Sequence, residues 1–265
     1  MTIAAPVSPV EPDAKTREFY RDAMRVLDDA NVPYVVGGGY AMAYYTGIQR
    51  NTKDLDLFLK PSDHKRALEV LADAGYRTEY FYPFWIAKAL SGEAFIDLIY
   101  NSGNGLCVVD DEWLAHSIPH SILDYTTRLT PAEEQLWSKA FVMDRDRFDG
   151  ADVIHIILSR GHEMDWERIL RRFRGHERVL LSHLMLFGYA YPCDKDQIPD
   201  WVVPRLLREV QNEALPSERL CRGPNLAHGG SYGTAIREWK YFDGRLKPHG
   251  PLTPQEISQL PIPPY

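Results

Sequence analysis

The stretch "YVVGGGYAMAYYTGIQRNTKDLDLFL", residues 34–59, constrains the fold more than any other part of this chain. A short apolar run leads into a glycine triplet, then a helix-like segment, then an alternating strand. Side chains at i and i+2 of a strand point to the same face. In "DLDLFLK" that pairs Asp54 with Asp56, and sends Leu55 and Leu57 together to the other face. One face of this strand must therefore enter a core, while the other carries two neighbouring negative charges. Carboxylates this close repel each other. A divalent cation relieves the repulsion, and Mg²⁺ is usually held by one or two carboxylates together with substrate phosphates.

The surrounding residues fit an anion as well as a cation. "YVVG" reads as a short buried strand, and "GYAMAYYTG" as a helix that starts at the glycines and stops at Gly47. A tight glycine turn ahead of a helix turns backbone N–H groups toward an anion, and the helix N-terminus adds a favourable dipole. Gly37, Gly38 and Gly39 can thus cradle the phosphates of a nucleotide, with Arg50 and Thr52 placed to help. "AFIDLIY" supplies a third acid, Asp97, in the middle of an apolar strand. A buried lone carboxylate needs a partner, a metal or a shifted pKa. If that strand lies beside the Asp54–Asp56 strand, the carboxylates converge and can hold two metals, which activate an attacking oxygen and stabilise a leaving one. Each piece has a plainer reading alone: a turn, a solvated strand, a satisfied core acid. Their order on elements of the right type favours a nucleotide site.

These residues carry a family resemblance. "VGGGYAMAYYTGIQRNTKDLDLF" followed by "FIDLI" resembles the nucleotidyltransferase superfamily that includes DNA polymerase beta. The R-x-T-x-D-x-D wording, Arg50, Thr52, Asp54 and Asp56, looks most like the AbiEii-type and related uncharacterised bacterial nucleotidyltransferases. The third glycine departs from the pattern and leaves open whether Gly37–Gly38 or Gly38–Gly39 is the functional pair. The resemblance implies a mixed sheet flanked by helices, with Mg²⁺ and an NTP such as ATP held at Asp54, Asp56 and Asp97. The implied activity is transfer of a nucleoside monophosphate to an acceptor, with release of pyrophosphate. It extends to "EEQLWSKAFVMDRDRFDGADVIHII", where it implies that Lys139 contacts nucleotide phosphate and that Asp149 or Asp152 serves as base for the acceptor. The plainer reading makes Asp149 a helix N-cap and Lys139 a surface lysine. The acceptor is expected to be an RNA end, a protein or a small hydroxylated molecule. A toxin paired with an antitoxin protein is one biological form of this activity. A catalytically silent nucleotide- or protein-binding member is the alternative.

The expected fold class is α+β: a catalytic domain over 1–128 with a mixed sheet flanked by helices, then a mainly helical domain over 129–265. Helical spacing marks 14–30. Ser62 is placed to N-cap "SDHKRALEVLADAG". "YRTEYFY", "WIAKAL" and "AFIDLIY" read as strands, the last two joined by the hairpin-like "SGE". Thr130, Pro131 and Glu133 form a capping-box signature that opens the helical part. Beyond 215 the chain is rich in Gly and Pro and is expected either to wrap over the body as ordered loops or to remain partly mobile, with Arg222, Tyr232, Trp239 and Tyr241 either closing over a cleft or strapping the body.

Composition removes several classes. With 45% hydrophobic and 25% charged residues, the chain has ordinary globular content. A net charge of -7 argues against a protein dominated by nonspecific nucleic-acid binding. Three scattered cysteines show neither a disulfide framework nor a zinc spacing, so a reducing cytoplasm is the simplest location. "MTIAAPVSPVEPDAK" reads as a flexible leader, not a signal peptide. "VLLSHLMLFGYAY" is too short to span a bilayer and reads as a buried helix, so no membrane partner is expected. The nine histidines have no metal spacing, and His155 and His183 read as core or near-core residues. Arg168, Arg171, Arg172, Arg174 and Arg178 read as a solvated helix face, or more sharply as a landing strip for RNA phosphates.

Overall fold

Leu55, Leu57, Ile96 and Leu98 are wholly buried, while Asp56 between the first two is half-exposed, so the alternation in the sequence became a sheet with one core face. The structure is a computed structural model that describes residues 12–49, 52–227 and 230–260. It divides into two compact units, Met1–Pro131 and Ala132–Tyr265.

The first unit runs α1 (Ala14–Asp29), β1 (Val35–Val36), α2 (Gly38–Thr46), β2 (Leu55–Phe58), α3 (His64–Asp73), β3 (Arg77–Tyr82), β4 (Ile86–Ser91), β5 (Ala94–Ile99), α4 (Asp111–Ala115), β6 (Ile118–Ile122) and β7 (Tyr125–Leu129). The strands form one seven-stranded sheet in the order β3-β4-β5-β2-β1-β7-β6. β2 pairs with β5 and β1 with β7 in parallel, and the other neighbours are antiparallel, so the sheet is mixed. α1 and α3 pack together through apolar stripes that include Leu27 and Leu71, both fully buried. Each such leucine or isoleucine contributes roughly 1.5–3 kcal/mol on leaving water. The edge strands suit their place: β3 is largely exposed, and β6 carries Pro119, which lacks a ladder donor.

The β4–β5 hairpin turns on Gly92 and Glu93, with Gly92 at φ +61 and Ser91 opposite Ala94. The hairpin β6–β7 was not foreseen; its turn residues Leu123 and Asp124 both have positive φ without a glycine to signal it. Ser62 does not cap α3. Its hydroxyl donates to the Asp63 carboxylate at 3.1 Å, and the helix starts after Asp63 with no side-chain cap.

The second unit contains α5 (Ala132–Ala140), α6 (Gly150–Arg160), α7 (Trp166–Arg172), α8 (Glu177–Ala190) and α9 (Val202–Gln211). The Gly/Pro-rich remainder forms β8 (Leu220–Cys221), α10 (Gly233–Arg237), β9 (Phe242–Asp243) and α11 (Pro254–Ser258), with β8 and β9 pairing in parallel. A capping box between Thr253 and Glu256 opens α11. Among the described residues no helix is long and apolar enough to cross a membrane.

Several expectations are corrected here. Glu133 forms no capping box: one oxygen accepts the Asp165 N–H at 2.7 Å and the other pairs with Arg168 at 2.5 Å. The Thr130 N–H instead donates to Val36 O, inside the sheet of the first unit. The arginine run is not one solvated face. Arg168 is buried against Glu133 and Glu134, and Arg172 joins Glu134 at 3.1 Å while lying over the Trp137 ring. α8 buries only Leu180, His183, Leu184 and Phe187, leaving Met185, Leu186 and Tyr189 exposed. His183 is a core residue as expected, its Nε2 2.8 Å from Ala140 O. The segment around Asn225 straps the second unit: Asn225 is buried, and Leu226 O accepts the Met143 N–H.

Candidate active site

The parallel pairing of β2 and β5 sets Asp56 directly opposite Asp97. Asp54 precedes β2 by one residue and shares its face with Asp56. Carboxylate oxygens of Asp54, Asp56 and Asp97 all lie within 4.8 Å of one another. Asp54 and Asp56 are half-exposed and Asp97 is buried, so the cluster opens on the side of the first two. Thr52 orients Asp54 by donating its hydroxyl to the carboxylate at 3.0 Å. Arg50 lies outside the described residues.

The glycine turn meets this cluster at Asp56. The Gly37 N–H donates to Asp56 O at 3.0 Å, which locks the turn to β2. α2 begins at Gly38, whose φ of +55 suits a residue without a side chain. A Cβ built there would collide with the Asp56 carboxylate. Gly39 gives similar close passage to Thr52. Gly38 belongs to both alternatives for the functional pair, and it is the glycine that lets a helix N-terminus approach the acids.

Sequence reasoning missed Lys88. Its Nζ lies 2.5 Å from Asp97 Oδ1, with both side chains largely buried. The ammonium also sits 4.0 Å from the Phe95 ring centroid and 5.1 Å from that of Phe81. The signal was available: a lone lysine in "WIAKAL" faces a lone aspartate in "AFIDLIY" when pairs are counted back from the Gly92–Glu93 turn. Burial pushes the Asp97 pKa up, Lys88 pulls it down, and Asp54 raises it again, with a net rise. Tyr20, against the same cluster, is raised by burial, then by Tyr40 and the three aspartates, so its hydroxyl keeps its proton. The set fits a divalent cation: hard oxygens converge, and their mutual repulsion needs positive charge.

The second unit brings together the other foreseen residues. Lys139 Nζ lies 3.1 Å from Asp149 and 2.8 Å from Asp152. Asp149 occupies the N-cap position of α6 without a side-chain cap bond, and its carboxylate also receives Arg147. Burial raises Asp149, but Arg147 and Lys139 outweigh it and leave the group below the usual carboxylate range. Lys139 is therefore not a surface lysine; its side chain is largely buried between two acids.

A mixed sheet that gathers three acids at a glycine-led helix start defines a nucleotidyltransferase. A family described as "Uncharacterised nucleotidyltransferase" matches residues 15–187, and the chain belongs to it. No curated protein matches the chain. Among solved structures it is similar to the antibiotic-resistance factor ANT(2'')-Ia, at 17% identity and TM-score 0.45, covering 65% of this chain and 98% of that one. It is also similar to the lincosamide antibiotic adenylyltransferase LnuA, at 17% identity and TM-score 0.38, covering 57% of this chain and 98% of that one. An antigenic nucleotidyltransferase-like protein from Paracoccidioides brasiliensis matches at 17% identity and TM-score 0.38, covering 68% of this chain and 94% of that one. These likenesses are too distant to transfer an acceptor.

Proposed function

We propose that this protein is a Mg²⁺-dependent transferase that moves a nucleoside monophosphate from an NTP, ATP among the candidates, to an acceptor, releasing pyrophosphate. The observation that carries this reading is the convergence of Asp54, Asp56 and Asp97 within 4.8 Å beside the glycine turn. These three residues would hold the metal, as a two-metal site if both ions bind. When bound, the metal supplies charge neutralisation on the phosphates and a more acidic attacking oxygen. Gly37 ties the glycine turn to β2 through its own N–H, and the turn Gly37–Gly39 presents the N–H groups at the start of α2 to phosphate oxygens. Thr52 keeps Asp54 oriented, and Arg50 adds a cation to the phosphates. Lys139 serves nucleotide phosphate, and Asp149 or Asp152 takes the proton of the acceptor hydroxyl.

The acceptor is an RNA end, a protein side chain or a small hydroxylated molecule such as an aminoglycoside or lincosamide. Pairing of Arg168 and Arg172 with Glu133 and Glu134 removes two cations from an RNA strip, which weakens the RNA option. The AbiEii-type wording supports a cytoplasmic toxin role with an antitoxin partner. One observation favours a second reading, a catalytically silent nucleotide- or protein-binding member: Lys88 already holds the third acid.

One experiment separates the readings. The protein is titrated calorimetrically with Mg²⁺·NTP, then incubated with labelled NTP and cell extract. Wild type should bind and transfer label, while Asp54→Asn and Asp56→Asn should lose at least about tenfold in affinity with the fold intact. Binding indifferent to EDTA sinks the metal reading. Binding without transfer to any acceptor supports the silent member.

A further inference from the structure

We propose that Lys88 is a tethered counter-ion for the third acidic ligand, which a divalent cation must displace to gain Asp97. The inference rests on the metal reading above and concerns how that site loads. The hairpin register makes the pair obligatory: Lys88 and Asp97 are cross-strand neighbours on one sheet face. Nζ lies 2.5 Å from Oδ1, and the side chains are only 15% and 12% exposed, so water screens the contact poorly.

Of the three acids Asp97 is the most buried, so it suffers most when left bare. Lys88 supplies the positive charge that lets a carboxylate sit there before metal arrives. The same charge opposes a divalent ion, because both seek one carboxylate and repel each other. Asp54 and Asp56, on the open side, are then the first ligands, and Asp97 is gained last.

The surroundings give the displaced ammonium somewhere to go. Phe95 lies two residues before Asp97 on the same strand face, and Phe81 belongs to β3, the strand beyond Lys88. Their rings already stand 4.0 and 5.1 Å from Nζ, and aromatic faces attract cations. A flexible four-carbon stem lets Nζ leave Oδ1 while remaining over the rings. Lys88 is thus a positioning residue: it touches a ligand of the site and sets the affinity of that ligand for metal.

The test is calorimetric titration of the full chain with Mn²⁺ or Mg²⁺ alone, with thermal melting in parallel. The variants are Lys88→Met, Lys88→Arg, Asp97→Asn and Lys88→Met with Asp97→Asn. Lys88→Met should bind metal about tenfold tighter than wild type and should melt lower without metal, with a larger upward shift when metal is added. Lys88→Arg should stay close to wild type. In the Asp97→Asn background the Lys88 effect should shrink to the direct repulsion between ammonium and ion, because the cycle isolates the competition for Asp97. Lys88→Gln, which keeps a polar contact without charge, reads the same competition if the methionine variant does not fold. Equal or weaker metal binding in the Lys88→Met and Lys88→Gln variants, with binding still abolished by Asp54→Asn, overturns the proposal and leaves the metal site standing. No metal binding in wild type or any variant overturns both.

Discussion

At the scale of single residues, Gly38 carries two constraints that can be separated. Its φ of +55 costs any other residue backbone strain, and a Cβ there would enter the Asp56 carboxylate. Gly75 shares only the first constraint, with φ +96 and open space around it. Gly75→Ala should therefore cost about 1 kcal/mol, and Gly38→Ala clearly more, in urea denaturation. Equal losses would mean that Asp56 moves aside freely and that the close approach has no consequence. The acids and glycines were legible because strand period and turn chemistry are local properties. Lys88 was not read, because a lysine on a half-buried strand looks like a solvated residue until the hairpin register is counted. Lys139 was misjudged in its plainer reading for the same reason: its partners lie ten and thirteen residues away, around the start of α6.

At the scale of elements, α5 and α7 are joined by buried charge. Glu134 is fully buried, with Arg168 and Arg172 beside it, and its Oε2 accepts no hydrogen bond among the described residues. Burial pushes its pKa up, the arginines pull it down, Glu133 raises it, and the net result is about 7. The folded state then holds a proton that the unfolded chain releases near 4.5. The sign follows from linkage: this contribution is full below 4.5 and is lost as pH rises toward about 7. Denaturation midpoints of wild type should show that decline over this window, and Glu134→Gln should flatten it. Asp149, held low by Arg147 and Lys139 against its burial, works in the opposite direction, losing its contribution only as pH falls below 3.8. Removing one partner, as in Arg168→Met, should cost about 3–5 kcal/mol, because an uncompensated charge remains. A flat wild-type profile between those pH values would show that Glu134 stays ionised. The run "ERILRRFRGHER" hid this, since a charge run on a helix reads as surface unless its acidic partners on another helix are known.

At the scale of the whole chain, the end of β7 decides how much sequence the first unit needs. Leu129 is wholly buried and pairs with Val36, at the strand that leads into the glycine turn. Thr130 is also buried; its N–H donates to Val36 O at 2.9 Å, and its carbonyl accepts the Tyr45 hydroxyl at 2.6 Å. These two residues thus brace β1 and α2, between which the phosphate-cradling turn is strung. Composition places a change of texture near this point, but it does not weigh the last residue of β7 and the one that follows it. A fragment of residues 1–131 retains both, whereas a fragment of residues 1–128 loses them. The longer fragment should unfold cooperatively in urea. The shorter should be destabilised by roughly 3 kcal/mol or more, from one buried leucine and two hydrogen bonds. Because the lost contacts support the turn, the shorter fragment should also bind Mg²⁺·NTP more weakly than the longer one, both lacking Lys139, before it loses helical circular dichroism. Equal midpoints for the two fragments would show that β7 is dispensable beyond Arg128 and that β1 holds its place through β2 alone.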